Sequence, residues 1–189
     1  VGTKSTSQTV PEGIPSRNTQ AEIESIRNIG TNQRERLGLP ADGGIPKEGV
    51  DVSNNNARQL LDNSRNTPPE KAKEIVESFD GQIKVSQGKE GEVFTITETG
   101  KAPGQQASGS FVTRESAGST PKERIENLAL PKNNSAEIEG EVRLTRDQLL
   151  LEGKVKSQAG DPDFHPNASG GGDQVHTDAF NNGVERIND

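Results

Sequence analysis

Thr67-Pro68-Pro69-Glu70-Lys71-Ala72-Lys73-Glu74-Ile75-Val76-Glu77-Ser78-Phe79-Asp80-Gly81 is the stretch on which the reading of the fold turns. Thr67 offers a capping hydroxyl, Pro68 suits the first helical position, and Glu70 completes a capping box. Ala72, Ile75, Val76 and Phe79 then recur at helical spacing and form one apolar stripe. Gly81 is the expected stop. Directly beyond it the period shortens, with Ile83 and Val85 alternating. That is the signature of a half-buried strand. A capped helix therefore hands over to a sheet.

Working outward, the alternations Val93/Thr95 and Phe94/Ile96, then Phe111 and Thr113 after Gly109, predict short strands joined by glycine-bearing turns. Thr120-Pro121-Lys122-Glu123 repeats the capping-box pattern and predicts a short helix running towards Leu128 and Leu130. Ile138, Val142 and Leu144 predict a strand, Leu149 to Val155 a buried one, and Val175 lies in a last one, with Asp178 capping a terminal turn. Pro162 to Gly172, with three consecutive glycines at its end, reads as a loop. On the N-terminal side, residues 1 to about 18 read as a polar linker. Ile23, Ile26 and Ile29 mark a helix after Thr19, and Leu60 and Leu61 sit in another between Asn55 and Asn63. The glycines and prolines from Gly38 to Val52 predict a loop. The fold class is α+β: N-terminal helices followed by a small, mainly antiparallel sheet with one inserted short helix. The domain reading is a polar leader over residues 1–66 and an effector domain over 67–189.

Of the 189 residues, 26% are apolar and 3% aromatic, so one compact module with long polar segments is expected. Mean hydropathy is −0.87. There is no Cys, which excludes disulfides and thiolate metal sites. No apolar run approaches a membrane span, so stable membrane insertion is not expected. The chain starts at Val1 rather than Met, and a piece of a larger protein or a processed product is the expectation. A net charge of −7 opposes bulk attraction to nucleic acid. Between Lys101 and Lys156 nine basic residues nearly balance eight acidic ones, whereas from Asp161 onward six acids face only Arg186.

Gly109-Ser110-Phe111-Val112-Thr113-Arg114, Ser119 to Pro131, Asn133 to Ala136, Leu151 to Val155 and Gly170-Gly171-Gly172-Asp173-Gln174 together have a familiar look. From about Gly109 to Asp178 the chain resembles the C-terminal modules of bacterial polymorphic toxins, including CdiA-type contact-dependent growth inhibition proteins and Rhs-type toxins. The resemblance implies a secreted or surface-borne parent protein and an effector acting in the cytoplasm of a competing bacterium. It also implies a cognate immunity protein, and for many CdiA-type modules cleavage of tRNA, sometimes with a host translation factor such as elongation factor Tu. Other such toxins consume NAD. The Val-Glu-Asn-Asn boundary motif of CdiA proteins is absent.

His176 is the residue most suited to chemistry: it follows the glycine-rich loop and precedes Thr177. A neutral imidazole can take a ribose 2′-OH proton while a nearby cation steadies the phosphate, with no metal. The leading expectation is a metal-independent ribonuclease toxin acting on tRNA. It has His176 as acid or base, Thr177 and Gln174 as orienters, and Lys154 as phosphate contact, assisted by Lys156. The competing reading of His176 is an ordinary, partly exposed histidine. The alternative enzyme is a NAD glycohydrolase or ADP-ribosyltransferase, with NAD as substrate. NAD-glycohydrolase toxins resemble this chain in ending on a glycine-rich loop with an engaging Gln, here Gly171, Gly172 and Gln174. Arg114 or Arg124 would hold the pyrophosphate. Residue chemistry alone leaves the two nearly level. A third reading is a non-enzymatic binding module. His165, in a Pro-flanked loop with Asp161 and Asp163, lacks enough converging ligands for a metal, and no cofactor is expected. No Gly-x-Ser-x-Gly elbow surrounds Ser110, Ser116 or Ser119.

Overall fold

A computed structural model of the chain describes residues 24, 30–39, 45 and 48–187. The helix expected after Thr19 lies outside the described residues. Helix α1 spans Thr31–Arg36, strand β1 Val50–Val52, helix α2 Asn54–Arg65 and helix α3 Pro69–Glu77. Strands β2 (Phe79–Gly88), β3 (Val93–Glu98) and β4 (Phe111–Val112) follow. Then come helix α4 (Pro121–Leu128), β5 (Ile138–Leu144), β6 (Gln148–Val155) and β7 (Asp173–His176). A 3-10 turn, Ala179–Asn181, leads into β8 (Val184–Arg186). Every named pairing is antiparallel, in a five-stranded sheet of order β1-β2-β6-β7-β4 and a three-stranded sheet of order β3-β5-β8. This is the expected α+β class.

Local chemistry departs from expectation at both ends of α3. The residue before the helix is Pro68, which makes no side-chain cap, and Pro69 takes the first turn. Thr67 is buried instead of capping. The helix stops before Gly81 because Phe79 already belongs to β2, paired with Val155 and buried in the core. Gly81, at φ +89°, falls where the β2–β6 register shifts between Asp80 and Lys84, as a bulge requires. At α4 the capping pattern does form. Thr120 Oγ1 accepts from the Glu123 N–H at 3.2 Å, and the Glu123 carboxylate accepts from the Ser119 N–H at 2.7 Å. The region read as a loop from Gly38 to Val52 ends in β1, whose Val50–Val52 pair with Val85–Ile83. β8 was not anticipated; Val184 packs against an apolar cluster and Arg186 pairs with Glu98 at 2.5 Å.

β6 organises the layers because alternate side chains of a strand point to opposite faces. Leu149 and Leu151 join Leu37, Leu60, Leu61, Ile75, Val76, Phe79 and Ile83 in the core beneath the helices. Leu150 points the other way, into Phe94, Ile96, Val112, Val142, Leu144 and Val175 between the two sheets. The result is helix layer, sheet, sheet. The boundary read at 66/67 runs through the first of these clusters, since Leu60 and Leu61 share it with Ile75 and Val76. The sheets are stitched where Thr95 and Thr113 exchange backbone hydrogen bonds of 2.8 and 2.9 Å.

Candidate active site

A cleft of about 980 Å³ opens between the ends of α2 and α3, strands β3, β4 and β7, and the segments 128–131 and 177–181. That volume lies at the upper end of the range of small-molecule sites. Period-two alternation along β7 turns Gln174 and His176 into it, while Val175 goes to the core. Opposite them stand Phe111, paired with His176 across β4–β7, and the hydroxyl residues Thr95, Thr97, Ser108 and Ser110. At the rim Phe180 is 90% exposed and Phe111 41%.

His176 retains only 7% of its surface. Its ring meets Phe111 edge-on, centroids 4.8 Å apart at 66°. Its Nδ1 lies 3.1 Å from Arg65 Nη1. Burial, helped by the positive fields of Arg65 and Lys71, pushes the imidazole well below its ordinary value near 6.5, so it is neutral. Arg65, at the C-terminal end of α2, also donates to the carbonyls of Thr177 at 3.3 Å and Leu149, and lies 3.9 Å from the Asp178 carboxylate. Asp178 is held in turn by Arg146 at 2.6 Å.

Gln174 donates its amide to the Ser78 carbonyl at 3.0 Å and the Ser78 hydroxyl at 3.1 Å, which fixes the side chain against the end of α3. Thr177 donates its hydroxyl to the Gly109 carbonyl at 2.7 Å and its N–H to the Ser110 carbonyl at 2.8 Å. It thereby holds the 109–110 wall of the cleft against β7. Lys156 also lines the cleft.

Of the residues expected at a site, the fold thus brings together His176, Thr177, Gln174 and Lys156. It does not bring the others there. Lys154 is on the exposed face of β6, paired with Asp173 at 2.8 Å. Arg114 forks onto Glu152 at 2.7 and 3.0 Å, a bond that raises its already high pKa, and lies over the Phe94 ring outside the cleft. Arg124 ties the carbonyls of Gly118 and Ala136, each at 2.9 Å, and so braces α4. The amides of Gly171 and Gly172 donate to the carbonyls of Val155 (2.9 Å) and Asn127 (3.0 Å) rather than pointing into a cradle. His165 Nε2 is 2.8 Å from the Asn134 carbonyl oxygen.

The sequence pattern does not single out Arg65, Phe111 or Phe180 for the cleft. Arg65 had a signal: it continues the buried face Ala57, Leu60, Leu61 of α2, and a cation on an apolar stripe needs a buried partner. The acids of the cleft wall are largely paired, Asp178 with Arg146 at 2.6 Å, Glu74 with Lys71 at 3.0 Å and Glu77 with Lys73 at 3.8 Å, and the charges acting on His176 are the cations Arg65 and Lys71. Among the described residues no cluster of three or more His, Cys, Asp or Glu is arranged to hold a metal, and no helix is long and apolar enough to cross a membrane.

No protein-family model matches the chain, and no curated protein matches it. Among solved structures it is similar to one described as Tse6 in complex with Tsi6, with a TM-score of 0.49 and 13% identity over 72% of this chain and 95% of that one. It is also similar to Rhs1-CT in complex with its cognate immunity protein RhsI1, with a TM-score of 0.43 and 24% identity over 59% of this chain and 81% of that one.

Proposed function

We propose that the chain is the effector module of a polymorphic toxin and that its cleft hydrolyses NAD at the nicotinamide–ribose bond. The toxin reading rests on the resemblance of residues 109–178, which supply β4, β7 and much of the cleft wall. The choice of reaction rests on one observation: a neutral, buried His176 in the cleft.

When the C1′–N bond of NAD breaks, its electron pair returns to the pyridinium ring, which leaves as neutral nicotinamide. Water bonds to C1′ and releases a proton. No acid has to protonate the leaving group, so an imidazole held neutral is no handicap. The ring and the ribose carry positive charge up to and through an oxocarbenium-like transition state. Cleavage of RNA asks for the opposite: an acid whose pKa lies near the working pH for the departing oxygen, and cations along a phosphate track. Phe111 and Phe180 offer ring faces for the base or the nicotinamide, and Gln174, braced on Ser78, offers its amide oxygen to the ribose hydroxyls.

Metal-independent cleavage of tRNA is the second reading, favoured by the presence of His176, Thr177 and Lys156 along one cleft. Induction of the chain in cells without an immunity protein separates the two. The proposal expects NAD to collapse while tRNA stays whole. Fragmented tRNA with normal NAD contradicts it, and normal levels of both leave the binding-module reading. A cognate immunity protein would seat on the cleft mouth and bring basic residues to its acids, so its association should weaken with salt.

A further inference from the structure

Arg65 has no group that accepts a hydrogen bond, since every guanidinium nitrogen is a donor. Its Nη1 stands 3.1 Å from His176 Nδ1, so Nδ1 is the acceptor. We infer that Arg65 is a positioning residue that locks His176 in the tautomer with its proton on Nε2, which turns this histidine into a fixed hydrogen-bond donor towards an oxygen of the bound ligand. Nδ1 is engaged by Arg65, which leaves Nε2 as the ring nitrogen to meet a ligand in the cleft that His176 lines.

The lock is rigid because the guanidinium is itself over-determined. Two carbonyls, of Leu149 on β6 and Thr177 after β7, accept from it, and the Asp178 carboxylate sits 3.9 Å away. The charged groups around the imidazole are Arg65 from α2, Lys71 from α3, and Asp178 with its partner Arg146 before β6. Phe111 closes the flank on β4. A donor of this kind selects an acceptor such as a carboxamide or hydroxyl oxygen. It does not shuttle protons. The identity of that acceptor as an oxygen of NAD rests on the reading proposed above, whereas the tautomer does not.

The test uses the whole chain labelled with nitrogen-15 and long-range correlation spectra of its two imidazoles, with His165→Gln assigning the signals. His176 should show the Nε2–H pattern, unchanged from roughly pH 8 to pH 6, a range that spans the ordinary histidine value. Arg65→Met should abolish that pattern and give a mixed or titrating ring, and Arg65→Lys, which keeps a donor, should preserve it. A proton on Nδ1 in the parent chain, or an unchanged pattern in folded Arg65→Met, overturns the inference. Should Arg65→Met fail to fold, the parent and Arg65→Lys spectra still decide, because loss of the pattern in folded Arg65→Lys would be equally fatal. No substrate enters these spectra, so a failed NAD assay leaves them standing. With NAD, His176→Gln, which places an amide near Nε2, should retain about ten times the kcat/KM of His176→Ala. A proton-transferring histidine would make both variants equally dead.

Discussion

At the residue scale His176 carries a stability signature. Its folded pKa lies below the ordinary 6.5 because burial disfavours the cation. The unfolded chain takes up a proton as pH falls through about 6.5, and the folded chain resists it. The stability linked to this group is therefore full above that pH and is lost progressively below it. Thermal melts at pH 7.5 and 5.5 should show a drop in Tm for the parent chain that is smaller in His176→Asn, whose amide still meets Arg65 but does not titrate. Equal drops would mean that the ring is not held neutral. His176, Thr177 and Gln174 were legible because they are neighbours in the chain and follow a glycine-rich loop. Arg65 was not, since it lies 111 positions from the imidazole it contacts, and only the tertiary fold brings them together. Lys154, Arg114 and Arg124 read as phosphate or cofactor contacts for want of their partners. Asp173, Glu152 and the Gly118 and Ala136 carbonyls become visible only in the folded chain.

Among elements, α2 and the 170–172 loop show how far pattern reaches. The apolar face of α2 was visible as Leu60 and Leu61, but nothing local tells that it covers the same sheet as α3. Both leucines are fully buried, and Leu60→Ala should destabilise the whole chain by about 2–5 kcal/mol, as cavity formation under a packed helix does. Chemical denaturation checks this: a loss below about 1 kcal/mol would mean that α2 is an appendage to the 67–189 unit. Gly171 and Gly172 are ligand contacts in the NAD reading of the sequence, yet the amides of Gly170, Gly171 and Gly172 donate to the carbonyls of Glu126, Val155 and Asn127. A Cβ on Gly170, at φ +75°, would come within 2.6 Å of the Val155 carbonyl. Glycine is needed there for close backbone approach, and Gly170→Ala should lower Tm by several degrees. An unchanged Tm would contradict the close packing. The capping box of α4 was read correctly because its partners are local. The one at Thr67 was not, because tertiary burial of that side chain overrides the local pattern.

Over the whole molecule, the three layers place a neutral histidine, a braced glutamine and two phenylalanine rings around one cleft. The α+β order was readable from the change of period after Gly81. The split of the leucine run in β6 between two cores was not, since a continuous apolar strand looks alike on either face. Net charge pointed away from polyanions. The measurement that tests this account most directly is the release of nicotinamide from NAD by the purified chain, followed by chromatography, with tRNA as parallel substrate. The account predicts nicotinamide and ADP-ribose in equal amounts and intact tRNA. Gln174→Ala and His176→Ala should each be slowed by about a hundredfold or more while remaining folded. Intact NAD beside cleaved tRNA, or full activity in both variants, would contradict it.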